Sequence, residues 1–222
     1  MFRSVRLLCC IFLGGGIALS GISASPLRVN QLQAGEFNEI LSIGDVAPAW
    51  SDLPGTDGKT HSLADLKDKP VVVVIFTCAS CPTASDYEAR IQALADAHPS
   101  DVAVVAICVN QIEEDKLPAL AKRTQEKNLT FTYLSDQTQK IAKDFGAVFT
   151  PEFYVLNRDR KVVYMGAMDD STDPARVTKR YVNEAIQAVL NGQTPEIKEV
   201  IARGCRVRYA RERRKRTAPP AR

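Results

Sequence analysis

The chain has 222 residues, 45% of them hydrophobic and 25% charged. This is an ordinary globular composition, sufficient for one domain with a full core. The formal net charge of +3 is unevenly spread. Residues 26–202 carry 18 basic and 25 acidic side chains, residues 203–222 carry nine basic and one acidic, and Arg3 and Arg6 complete the count. The basic side chains of the acidic body are scattered rather than striped, there are no internal repeats, and no Gly-rich loop suggests phosphate binding.

In chain order, Arg3 and Arg6 precede Leu7 to Leu19, an apolar run of 13 residues. A membrane-spanning helix needs about 20. A basic start, a short apolar stretch and small residues after it predict a secretory signal over residues 1–24, cut after Ser20 or Ala24. An uncleaved anchor is the alternative. Cys9 and Cys10 lie inside the run and read as hydrophobic filler. The predicted location is exported, in the periplasm or another extracytoplasmic space, where disulfides form and exchange. Residues 25–40 read as a linker, 41–202 as the domain and 203–222 as a basic, disordered tail. That tail, with no aromatic besides Tyr209, suits peripheral contact with an anionic membrane face rather than nucleic acid.

Within the domain, Trp50 reads as a core anchor, and Asp57-Gly58 as a hairpin turn. Ser62 caps a short turn. Val71 to Ile75 is a β-branched run, the pattern of a strand buried on both faces. Cys78-Ala-Ser-Cys81 follows, and Pro82 opens a helix with Tyr87, Ile91 and Leu94 on one face. Asp101 to Cys108 predicts a second buried strand, Glu113 to about Lys127 a helix, and Thr130 to Leu134 a third strand. A helix through Ile141, Ala142 and Phe145 stops at Gly146. Glu152 to Leu156 and Lys161 to Met165 form an antiparallel hairpin. Asp173-Pro174 opens a last helix through Val189. Together these make one α/β domain.

Two cysteines at a strand-to-helix turn have a chemical meaning. Only a thiolate attacks a disulfide, and the first turn of a helix favours an anion. Cys78 is expected to attack and Cys81 to resolve the mixed disulfide. Thr150-Pro151 precedes a predicted strand. A cis bond there would turn the Thr150 backbone toward an extended substrate segment, which could pair as an added strand.

Gly44-Asp45-x-Ala47-Pro48, Asp57-Gly58-Lys59, Phe76-Thr77-Cys78-x-x-Cys81-Pro82 and Thr150-Pro151-Glu152, with Tyr164-x-Gly166, Asp169-Asp170 and a late Gly204-Cys205, resemble the redoxin group. That group comprises the alkyl hydroperoxide reductase/thiol-specific antioxidant proteins and their TlpA-like relatives. The resemblance covers about residues 41–205 and implies a thioredoxin-like fold, a mixed central sheet flanked by helices. It implies Cys78 as nucleophile and the Thr150-Pro151 loop facing it across a substrate groove. The implied activity is thiol–disulfide exchange with protein thiols and disulfides, fed by an upstream redox partner, with no bound cofactor and no metal. Thr77 stands where thioredoxin has Trp, Ala84 where TlpA-like proteins often have Glu, and the first strand lacks a buried acid. The proton acceptor for Cys81 is therefore unassigned.

Three alternatives remain open. Cys81-Pro82-Thr83 imitates a peroxidatic Cys-Pro-Thr, although positions 78 and 73 are Cys and Val where that pattern has Thr and Pro. A soft-metal carrier would need ligands beyond two thiolates, and His61 and His98 are the only histidines. A non-catalytic binding module is the third. Cys108 reads as an inert core thiol. Cys205 is either free, paired with Cys108 or paired between chains. Asp169 and Asp170 read as turn or capping residues.

Overall fold

The computed structural model describes residues 35–210. The expected signal segment, most of the expected linker and the end of the basic tail lie outside the described residues.

Leu53–Pro54 (β1) and Thr60–His61 (β2) pair as a small antiparallel hairpin around Asp57-Gly58. Gly58 has φ +77 there, as a tight hairpin turn requires. The larger elements follow as Val71–Phe76 (β3), Pro82–Ala97 (α1), Val102–Cys108 (β4), Leu117–Lys127 (α2), Thr132–Ser135 (β5) and Lys140–Phe145 (α3). Phe149–Thr150 (β6), Glu152–Leu156 (β7), Val162–Gly166 (β8), Tyr181–Leu190 (α4), Glu199–Val200 (β9) and Cys205–Arg206 (β10) complete the chain.

The central sheet has the order β5-β4-β3-β7-β8-β9. Strand β3 runs parallel to β4 and antiparallel to β7, so the sheet is mixed, as expected. All six residues of β3 are fully buried. Their alternation divides two cores. Val71, Val73 and Ile75 pack with Tyr87, Ile91 and Leu94 of α1, Leu120 of α2, and Val182 and Ile186 of α4. Val72, Val74 and Phe76 pack with Trp50, Leu63 and Phe145 on the other face. Phe76, Phe145 and Tyr154 meet edge to face, with centroids 5.1 to 5.7 Å apart. This sandwich fixes the end of β3, where the cysteine turn begins.

Several boundaries differ from expectation for local reasons. The helix expected from Glu113 starts at Leu117, after a 3-10 turn over Glu113–Asp115. Asp115 is turned inward and fully buried, and Lys116 is extended. The helix expected from Pro174 is only a 3-10 turn, and α4 begins at Tyr181. The Asp170 carboxylate accepts from the Thr178 N–H at 2.9 Å and from the Thr178 hydroxyl. Those bonds accompany an extended link between the two elements.

Both predicted domain boundaries also shift. Asn38, inside the expected linker, is buried. Its Nδ2 donates to the Phe145 carbonyl at 2.8 Å and to Tyr154 Oη at 3.1 Å, and its Oδ1 accepts from Ile40 and Leu41 N–H. Residues 203–210, expected as the start of a disordered tail, are part of the fold. Cys205–Arg206 pairs antiparallel with Phe149–Thr150, Val207 is buried, and Tyr209 donates to the Ala147 carbonyl at 2.7 Å. Among the described residues no helix is long and apolar enough to cross a membrane.

Ile75→Ala should cost about 2–5 kcal/mol, the range for a large core side chain truncated where the site cannot collapse. Denaturant unfolding would show a lower midpoint with an unchanged slope.

Candidate functional site

Strand β3 ends at Phe76, and Thr77 still donates its N–H to the Ile107 carbonyl at 3.1 Å. The chain then turns through Cys78, Ala79 and Ser80 into α1. Cys81 is the N-cap, with extended φ −92 and ψ 117, and Pro82 takes the first turn. Both sulfurs are nearly closed off from solvent, with Cys78 3% and Cys81 1% exposed.

The helix N-terminus acts on Cys81. Ala84 N–H donates to Cys81 Sγ at 3.4 Å, and the neighbouring Cys78 and Cys205 thiols act on the same sulfur. Those neighbours, led by Cys78, hold Cys81 below its ordinary 9.0. Cys78 is pushed up, first because it shares its proton with Cys81 and then by burial. Cys81 caps the helix, where the dipole and the Ala84 N–H favour negative charge, while Cys78, the expected nucleophile, lies beside Ser80 Oγ and Thr150 Oγ1.

A carboxylate absent from the expectation stands beside Cys78. Buried Asp115 accepts from Ser80 N–H at 2.9 Å, Ser80 Oγ at 2.6 Å and Asn110 Nδ2 at 2.8 Å. Ser80 Oγ is 3.7 Å from Cys78 Sγ. A proton leaving Cys78 thus has a two-step route, to Ser80 Oγ and on to Asp115. Asp115 also raises Cys78 through its charge. The sequence held the signal as Glu113-Glu114-Asp115, but a helix-start reading hid it. Cys108 lies fully buried, its Sγ donating to the Asp115 carbonyl at 3.5 Å. Burial pushes it up to about 12, which fits an inert core thiol.

The Thr150–Pro151 bond is cis. Thr150 reaches both sulfurs. Cys78 Sγ donates to Thr150 Oγ1 at 3.6 Å, and the Cys81 thiol form donates to the Thr150 carbonyl at 3.2 Å. The loop is anchored by buried Glu152, whose Oε2 accepts from Val148 and Phe149 N–H at 2.8 Å each and whose Oε1 accepts from Tyr154 Oη at 2.9 Å. An extended segment does pair with Thr150, but it belongs to this chain. Strand β10 sets Cys205 opposite Thr150 and Arg206 opposite Phe149. The expected open edge is thus corrected to an occupied one. Cys205 and Cys108 are both free thiols, not joined to each other.

Asp169 is buried and paired with Arg90 at 2.5 Å, while Tyr87 Oη donates to it at 3.1 Å. Arg90 also bonds the Ser171 and Thr172 carbonyls, so this pair fastens α1 to the loop after β8. Asp173 caps the 3-10 turn as expected, accepting from Ala175 N–H at 2.9 Å. His61 pairs with Asp57, and His98 lies beside Gln187. Among the described residues, no group of three or more His, Cys, Asp or Glu forms a metal site.

A dithiol at the turn from an interior strand into a helix, faced by a cis-proline loop on a mixed sheet, defines a redox protein of thioredoxin-like fold. The chain belongs to the redoxin family of redox enzymes, and residues 42–184 match the family model described as Redoxin. A crystal structure of an uncharacterized conserved protein from Geobacillus kaustophilus is 32% identical, covering 79% of this chain and 96% of that one, with a TM-score of 0.73. Peroxiredoxin Bcp of Escherichia coli is 28% identical over 106 residues, which are 48% of this chain and 65% of that protein. A thiol:disulfide interchange protein DsbE from Chlorobium tepidum, 22% identical and covering 68% of this chain and 97% of its own, shares the fold with a TM-score of 0.54.

Two outcomes test this charge arrangement. In the reduced protein, thiolate ultraviolet absorbance should persist as pH falls below 9.0, because the folded value of Cys81 is depressed. Cys78→Ala should move the loss of that absorbance to higher pH by removing the largest cause of the depression. Asp115→Asn should slow closure of the Cys78–Cys81 disulfide in stopped-flow measurements. It should also cost about 1–3 kcal/mol, since an amide mismatches one of the three donors.

Proposed function

We propose that this protein is an exported thiol–disulfide oxidoreductase that exchanges a Cys78–Cys81 dithiol/disulfide with protein substrates. The observation that carries the reading is the cis-proline loop against both cysteines of the motif, with the Thr150 hydroxyl 3.6 Å from Cys78 Sγ and its carbonyl 3.2 Å from helix-capping Cys81 Sγ. Cys81 thiolate attacks one sulfur of a substrate disulfide, and the other substrate sulfur leaves as a thiolate. Cys78 gives its proton to Asp115 through Ser80 and attacks Cys81 Sγ. The Cys78–Cys81 bond forms, the mixed disulfide breaks, and the substrate departs reduced. The steps run in reverse for oxidation. Thr150-Pro151 orients the substrate backbone once β10 yields the edge. Export rests on the basic and apolar start of the sequence, and the basic tail suits an anionic membrane face.

One observation favours a second reading, a thiol peroxidase. The helix-capping sulfur is Cys81 of Cys81-Pro82-Thr83, and a relative carries the name peroxiredoxin. Here the Cys81 thiolate would take an oxygen from a peroxide to become a sulfenic acid, and a thiol would condense with it to release water.

A redox titration in graded glutathione buffers, with thiol trapping and mass spectrometry, decides the matter. A reversible Cys78–Cys81 couple and catalysed reduction of a protein disulfide, lost in Cys81→Ser, are expected. Absence of that couple would sink the exchange reading. Rapid peroxide consumption without protein-disulfide turnover would select the peroxidase.

A further inference from the structure

Cys205 is the one nucleophilic side chain at the site that the exchange cycle leaves without a task. Its position is built rather than incidental. Strand β10 pairs with β6 in a register that sets Cys205 opposite Thr150, the residue whose hydroxyl and carbonyl touch Cys78 and Cys81. Thr150 Oγ1 also donates to the Cys205 carbonyl at 3.3 Å. Val207 N–H donates to the Val148 carbonyl at 2.9 Å, and Arg208 N–H donates to Asn110 Oδ1 at 3.1 Å, fastening the strand just beyond the thiol. On the other side, a Cβ on Gly204 would fall 2.0 Å from the Thr150 carbonyl oxygen. Only glycine lets the backbone come this close. Thr150 thus stands between Cys205 on one side and Cys78 and Cys81 on the other, and the charge on Cys81 responds to both neighbouring thiols.

We propose that Cys205 is a third redox-active thiol, a second resolving partner for Cys81 that acts from a strand laid across the substrate edge. This rests on the proposed exchange chemistry and extends it. In the oxidised protein, Cys205 thiolate attacks Cys81 Sγ. The Cys81–Cys205 bond forms and the Cys78–Cys81 bond breaks. Cys78 leaves as a thiolate and takes up the proton that Cys205 gave away. The step is an isomerisation of one disulfide and needs no outside oxidant or reductant. From a mixed disulfide at Cys81, the same attack expels the bound thiol and closes Cys81–Cys205 instead. Strand β10 thus occupies the edge as an extended, cysteine-bearing substrate segment would.

The test is disulfide mapping of the full chain after equilibration with oxidised glutathione, acid quench and tryptic digestion. Cys205 then lies in the short peptide 204–206, separate from the peptide holding Cys78 and Cys81. Cys78→Ser should show the joined Cys81–Cys205 peptides and no lasting glutathione on Cys81. Cys78→Ser with Cys205→Ser should retain glutathione on Cys81. Gly204→Val, which expels β10 from Thr150, should keep the Cys78–Cys81 disulfide and lose the Cys81–Cys205 one. A Cys78→Ser protein with a native melting curve that keeps its glutathione adduct overturns the role of Cys205, while the wild-type Cys78–Cys81 couple leaves the exchange reading standing. Should Cys78→Ser fold poorly, wild-type protein without any Cys81–Cys205 peptide across the titration overturns the role equally. A Cys81–Cys205 bond without any Cys78–Cys81 bond would reject the exchange couple and keep Cys205 as the partner.

Discussion

The helix-capping sulfur of Cys81 is the constraint on which the rest of the site depends. A charge in so closed a place is costly unless hydrogen bonds replace water. The first turn of α1 supplies one donor, the Ala84 N–H. Its position requires β3 to end where it does, and β3 ends there because alternate side chains lock it between two cores. The Thr150 loop must then lie against both sulfurs. Glu152 holds that loop by accepting from two consecutive N–H groups. The Tyr154–Asn38 bond ties the same network to the segment preceding the first strand.

Charge placement also separates the two cysteines of the motif. Cys81 accepts from the first turn of α1, whereas Cys78 feels the charge of buried Asp115 across Ser80. The same Asp115 that discourages a Cys78 thiolate at rest can receive the Cys78 proton when the disulfide closes. Arg90 and Asp169 make a contrasting pair of opposite charges. Their bonds reach from α1 to the loop after β8, which fixes the helix without touching the sulfurs. A buried pair of this kind is costly to break from one side, because the remaining charge would be stranded.

Elements whose signal is local were legible in the sequence. The valine run marked β3, the spacing of Tyr87, Ile91 and Leu94 marked α1, and Gly146 marked the end of α3, where it takes φ +69. Thr150-Pro151 was recognised as a loop facing the cysteines. Features set by long-range pairing were not legible. Two-residue strands such as β9 and β10 have no period to read, and their partners lie far away in sequence. Asp115 was hidden because three consecutive acids look like a solvated helix start, and only Ser80 and Asn110 draw one of them inside. Which of Cys78 and Cys81 caps the helix was hidden for a related reason. Motif spacing places two sulfurs near a helix, but which one caps it depends on the φ and ψ of a single residue.

The covering of the Thr150 edge by β10 has a consequence for competition. Residues 201–204 alone separate β9 from β10, so the occupying strand is tethered beside its site. Short tethers give effective concentrations on the order of millimolar. A free polypeptide must outbid that local supply or first loosen the tether. Under the proposed exchange chemistry, that threshold would make occupancy a filter, favouring long-lived, specific encounters over weak, transient ones.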